Sequence, residues 1–231
     1  FENKIIAGNT FNYPYIHGNA ILMNGYSFVS TSDESISSGK VELDKYEIVD
    51  LIIGEEKTTN GVKADLDSLS GPKFKVFPED FNKLLSQYLF QGGNLFLSGS
   101  YIGSDVFLNN QFNEEDLNLF KETYKYKLAA NHSVKNGEVI SVSEHFLPQN
   151  YEFRFITELN DSIYNAEAPD ALSPTDGSET LLRYKENFFS AAVGYKGKYR
   201  LIAFGFPFET IDSHEVRRKV MGGILKYFAG N

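Results

Sequence analysis

The residues able to do chemistry sit just after apolar runs. Leu95-Phe96-Leu97-Ser98-Gly99-Ser100-Tyr101-Ile102-Gly103 reads as a buried strand entering a Gly-x-x-x-Gly turn. That is how a nucleophile elbow lifts its central residue above a sheet. The central residue here is Tyr101, whose phenol, at pKa ~10, is a poor nucleophile without strong activation. Ser100 is one position off. Phe204-Gly205-Phe206-Pro207-Phe208-Glu209-Thr210 follows another apolar run. Two readings stand for Glu209: a ligand-facing carboxylate at the carboxyl edge of a sheet, or a carboxylate that accepts backbone N–H bonds and pins its loop. Glu55 and Glu56 end a third run, Tyr46 to Gly54, and invite acid–base work or a solvated pair. We predict that the Glu55, Tyr101 and Glu209 turns meet at the carboxyl ends of adjacent parallel strands.

Four histidines, His17, His132, His145 and His214, show no His-x-x-x-His or His-x-His spacing, so no metal site is expected. His214 falls in a helix start. His17, in an aromatic loop, is the histidine to watch. The chain has no Cys, which excludes disulfides and thiolate chemistry. No phosphate-binding loop with its lysine is present, and no cofactor is expected.

These residues need elements to hold them. Pro78-Glu79-Asp80 opens a helix with Phe81, Leu84, Leu85, Tyr88 and Leu89 on one face, stopped by Gly92-Gly93. Strand, helix, strand over 46–99 predicts parallel pairing. A helix from Asn113 and a last helix from Ser213 to Phe228 follow the same logic. Lys4 to Ala7 and Ser27 to Ser30 read as short strands, Thr10 to Gly18 as a loop, and 55–73 as a surface loop. Short strands separated by turns, among them Ser162 to Ala166, predict a β-rich, antiparallel insertion or sheet extension over about 134–198.

The chain has 231 residues, 42% of them hydrophobic and 23% charged, as one large domain or two small ones require. We read a single domain spanning 1–231. A net charge of −9 repels phosphate backbones, so no nucleic acid partner is expected. No run approaches the ~20 apolar residues of a membrane span. Aromatics reach 15%, with 14 Tyr, 20 Phe and no Trp, which suits either an aromatic core or a surface for sugar rings.

Gln91-Gly92-Gly93-Asn94-Leu95-Phe96-Leu97-Ser98-Gly99 resembles the helix-Gly-Gly-strand unit of the class I glutamine amidotransferase-like fold, shared by trehalose-utilisation-like proteins. Three segments resemble a domain of secreted bacterial proteins labelled xanthan lyase-like: Ala7 to Pro14 with Ile16-His17-Gly18, Val49 to Lys57, and Phe204 to Ile211. The resemblance covers nearly the whole chain. It implies a three-layer flavodoxin-like α/β fold with a mostly parallel sheet, a strand upstream of Phe1, and excision from a longer chain. It further implies an extracytoplasmic setting, with polysaccharide and other domains of the parent chain as partners. The departures from active amidotransferases concern chemistry. Their elbow is Gly-x-Cys-x-Gly, and the Cys position is Tyr101. Their base lies in Phe-His-Pro-Glu, and here Pro207 stands at the His position while Glu209 remains. A pseudoenzyme without glutaminase activity, a non-catalytic or ligand-binding module, is therefore expected. The alternative is a glycan-active lyase or hydrolase using Glu55, Tyr101 and Glu209. No catalytic residue is assigned.

Overall fold

The computed structural model describes residues 13–58, 75–108, 112–160 and 163–230. Nine strands occur among them: β1 Ile48–Gly54, β2 Asn94–Gly99, β3 Tyr126–Ala130, β4 Glu138–Ser141, β5 Glu152–Arg154, β6 Ala171–Pro174, β7 Ser178–Tyr184, β8 Ser190–Lys196 and β9 Arg200–Phe204. The α-helices are α1 Tyr13–Leu22, α2 Asp33–Ser37, α3 Glu79–Phe90, α4 Ser104–Phe107, α5 Glu114–Tyr124 and α6 His214–Ala229.

Seven strands form one sheet in the order β1-β2-β9-β8-β7-β4-β5, and β3 pairs with β6 in a separate ribbon. β1, β2 and β9 are mutually parallel. Every other pairing in the sheet is antiparallel. This corrects the expected fold class. The sheet is mixed, not mostly parallel, and the fold is not the three-layer flavodoxin-like one. The reason lies in the connections. Parallel neighbours need long crossovers, and α3 supplies one between β1 and β2. From β7 onward the links shrink to tight turns, which can join only antiparallel neighbours. The short strands of the 134–198 region are thus no appendage: β8 pairs directly with β9, and β7, β4 and β5 continue the sheet.

Apolar residues alternate across the central strands as a sheet covered on both faces demands. Leu95, Leu97, Leu201 and Ala203 join the core beneath α3 and α5. Phe96, Ile202 and Phe204 join the opposite core, with α6 and Ala20 of α1. α6 is closed by its ends: Ser213 accepts from the Val216 N–H, and Gly230 takes the left-handed conformation after the last turn.

Other expectations need local correction. The loop expected over 10–18 is helical from Tyr13, because Pro14 suits a first turn. His17 therefore stands on a helix. Neither Ser27–Ser30 nor residues 163–166 form a strand. Phe28 is placed instead by Gly18, where an added Cβ would lie 2.1 Å from the ring. The readings of Lys4 to Ala7, of a strand upstream of Phe1 and of 59–73 fall outside the described residues. No helix among the described residues is long and apolar enough to cross a membrane.

Candidate functional site

The turns after β1, β2 and β9 lie at the same, carboxyl end of the parallel strands. Antiparallel pairing brings the β7–β8 turn and the exit of β5 to that end too. β1 ends at Gly54 with φ +60°, a conformation that suits glycine. A Cβ there would come within 3.1 Å of the Tyr164 hydroxyl and 3.3 Å of Glu209 Oε1. The Ser100 N–H donates to the Gly54 carbonyl at 2.9 Å, and the Ser100 hydroxyl donates to Glu55 Oε1. The Glu167 N–H also donates to Glu55, at 3.3 Å. Thr58 donates to Asp105 from its N–H at 2.9 Å and its hydroxyl at 2.6 Å, fastening the first loop to α4.

The turn carrying Tyr101 is pinned from its far side as well. Asp170, fully buried, accepts from the Gly103 N–H at 2.8 Å and the Ser104 N–H at 2.6 Å. Tyr101 is half-buried on this fixed turn, with Lys57 Nζ 5.2 Å from its ring centroid. Burial, then the charges of Glu55, Glu167 and Asp170, push its phenol up to about 12. It stays protonated at neutral pH and offers a hydroxyl able to donate and a flat ring.

Glu209 has no solvent exposure, and its fate decides the site. Its Oε1 accepts from Tyr164 at 2.6 Å, and its Oε2 lies 3.2 Å from His17 Nε2. The other imidazole nitrogen, Nδ1, lies 2.8 Å from Asp50 Oδ2. Burial alone would lower the pKa of His17, but the two carboxylates outweigh it, Asp50 foremost, and raise it to about 9. At neutral pH His17 is a buried imidazolium donating from both nitrogens. Glu209 thus does pin its surroundings, through the side chains of His17 and Tyr164; among the described residues no backbone N–H bonds to it. The imidazole absent from position 207 is supplied in space by His17, but with no lone pair left to act as a base.

Tyr13, at the start of α1, sets its ring edge-on to Tyr164 with centroids 5.2 Å apart. Burial and the nearby Glu209 and Glu55 push its phenol up to about 12. Burial raises Glu55 to about 7, against the opposing bonds from Ser100 and Glu167. Asp170 is raised to about 7, again mainly by burial.

The structure thus brings together Glu55, Ser100, Tyr101, Glu209 and His17. It places Glu56 elsewhere: the charges raising it to about 7, after burial, are Asp33, Asp105 and Glu34. Sequence reasoning missed Asp50, Tyr13, Tyr164, Glu167 and Asp170. Asp50 carried a signal, since a carboxylate inside an apolar strand run demands a partner. Among the described residues no group of three His, Asp or Glu side chains is arranged to hold a metal ion. A groove of about 700 Å³ runs along β1, walled by Ile21, Phe28, Val29, Val49 and Ile53 among others. Its wall is chiefly apolar and reaches His17, Asp50 and Glu56 but not Glu55, Ser100, Tyr101 or Glu209, so the site is placed at the strand ends, where those polar groups converge.

Replacing Asp170 with alanine would leave one buried and one partly buried N–H group, those of Gly103 and Ser104, without their acceptor. A loss of about 1–3 kcal/mol in urea unfolding is expected. Faster amide hydrogen exchange at Gly103 and Ser104 than elsewhere in the sheet should accompany it.

No protein-family model matches the chain, and no curated protein matches it. Solved structures do. The mmIFT52 N-terminal domain matches at 15% identity over 97% of this chain and 95% of its own, with a TM-score of 0.59. A cytoplasmic protein from Salmonella typhimurium matches at 10% identity over 93% and 85%, with a TM-score of 0.57. A ThuA-like protein from Bacteroides uniformis matches at 13% identity over 93% and 82%, with a TM-score of 0.53. The chain spans only 23% and 26% of the lengths of two glycosidases it also matches, an exo-β-1,4-mannosidase and a GH42 β-galactosidase. At these identities the likeness is one of fold, and the chemistry of the site is read from this chain's own residues.

Proposed function

We propose that this domain is a non-catalytic module that binds a polysaccharide at the Tyr13, Tyr101 and Glu55 edge, within an extracytoplasmic protein of the xanthan lyase-like kind. One observation carries the reading. Both nitrogens of the site's imidazole, on His17, are held by carboxylates, while a protonated phenol stands at the elbow. That arrangement supplies neither an activated nucleophile nor a free base. It does supply partly exposed rings and a carboxylate, groups that stack on sugar faces and accept from sugar hydroxyls. The local carboxylates disfavour acidic polymers, so a neutral glycan is the better ligand. The extracytoplasmic setting rests on the sequence resemblance alone.

A second reading, a glycan lyase or hydrolase, is favoured by one fact: Glu55, raised to about 7, is poised as a general acid at neutral pH. Glu209 counts against it, because its carboxylate is wholly buried and committed to His17 and Tyr164. A glycan array with a parallel assay for released sugar ends separates the two. Binding without turnover, lost in Tyr101→Ala, is expected. Turnover abolished by Glu55→Gln would establish the second reading.

A further inference from the structure

The tip of the β7–β8 hairpin holds two large apolar side chains in solvent. Phe188 is 67% exposed and Phe189 46%. Phe188 has φ +61°, in the left-handed region that bulky residues avoid. Such a conformation costs folding free energy and persists only where its surroundings enforce it. They do so here. The Phe188 N–H donates to the Tyr184 carbonyl at 2.9 Å, and the Phe188 carbonyl accepts from Arg183 Nη1 at 2.6 Å. The Phe189 N–H donates to Asn187 Oδ1 at 3.0 Å. Asn187 Nδ2 donates to the Ser133 carbonyl at 2.6 Å, and Glu186 accepts from the Lys135 N–H at 3.0 Å. The turn is strained and fixed, yet its two rings bury little within the molecule.

Its position supplies a use. β8 runs antiparallel to β9, with Ala192 opposite Phe204, so the tip projects from the same sheet edge as the Tyr101 turn. β2, β9 and β8 are consecutive neighbours, so the start of β8, beside the tip, lies about 10 Å along the edge from the end of β2 at the usual strand spacing. That is a span of a few sugar rings. The rings at the tip are flanked by Arg183, Glu186 and Asn187. Two rings so flanked form a patch far smaller than the ~800 Å² per partner of a stable protein interface, whereas one sugar face needs no more than a ring.

We propose that Phe188 and Phe189 form a second subsite, an aromatic platform on which the same polysaccharide chain continues beyond Tyr101. The inference rests on the glycan-binding reading of the edge. A platform held rigid before binding loses little freedom when the chain docks.

The test is calorimetric titration with β-1,4-linked gluco-, manno- and galacto-oligosaccharides, each as disaccharide and hexasaccharide. Wild type, Phe188→Gly, Phe189→Ser and Tyr101→Ala are compared. The wild type should bind a hexasaccharide about tenfold more tightly than its disaccharide, as stacking on two further rings provides. Phe188→Gly and Phe189→Ser should erase that gain and leave disaccharide affinity unchanged, while Tyr101→Ala weakens both. Phe188→Gly should melt no lower than the wild type, because glycine accepts the left-handed turn. A melting drop would assign Phe188 a structural role and overturn the subsite. Equal wild-type affinity for both lengths, or hexasaccharide binding untouched in both Phe variants, would overturn the subsite alone. No binding of any of these glycans by the wild type would remove the reading of the edge, and the subsite with it.

Discussion

His17→Ala should destabilise the domain by about 3–5 kcal/mol in denaturant unfolding. Removing the imidazolium leaves Asp50 and Glu209 facing each other across a cavity, and Glu209 has no solvent to turn to. The same network sets a pH signature. The pKa of His17 is raised from 6.5 to about 9 on folding. Its stabilisation is therefore fully present below pH 6.5 and is lost as pH rises through about 9. A shift of that size corresponds to roughly 3 kcal/mol. Glu55 and Asp170, raised from their ordinary values of 4.5 and 3.8 to about 7, give a separate loss at lower pH, ending near 7. Unfolding measured from pH 5 to 10 should show both declines in the wild type and only the lower one in His17→Gln. A wild-type profile that is level between pH 7 and 9 would contradict the assignment of His17.

Gly205→Ala is the second large effect. Gly205 follows β9, and its carbonyl accepts from the Asp170 N–H at 2.7 Å. A Cβ at this position would lie 2.0 Å from the Asp170 carbonyl oxygen, which is backbone and cannot swing aside. The two backbone segments must part, at a cost of about 3 kcal/mol, the upper end of ordinary overpacking. Because Asp170 also holds the Gly103 and Ser104 N–H groups, the Tyr101 turn should loosen with it. The expected result is a lowered denaturation midpoint together with weakened glycan binding. Wild-type stability in Gly205→Ala would mean that the contact between the two backbones is looser than described.

The parts of the site legible in the sequence were those that follow strongly apolar strands. Gly54-Glu55, Ser100-Tyr101 and Glu209 each end such a run, and a run of that kind fixes both the strand and where its chemistry emerges. His17 was visible only as a histidine in an aromatic segment, because its partners lie 33 and 192 residues away. Tyr164, Glu167 and Asp170 were hidden for another reason: they sit in irregular chain between β5 and β6, where no periodicity reports which way a side chain points. The antiparallel half of the sheet was legible as short strands and turns. Treating it as an excursion from a parallel sheet lost the fold class, since nothing in a single strand's sequence tells which neighbour it will choose. β3 escaped notice because it is five residues long and its two alanines, Ala129 and Ala130, blur the alternation that Tyr126, Lys127 and Leu128 begin.

The central claim is that the site's imidazole is an imidazolium committed to two carboxylates and is not free to act as a base. Long-range nitrogen–proton NMR of the His17 ring from pH 5 to 10 tests it most directly. The account predicts two protonated ring nitrogens through neutral pH, with deprotonation only near pH 9 and no change on adding glycan. A His17 that titrates near 6.5, with one unprotonated nitrogen at pH 7.5, would contradict it and return a base to the edge.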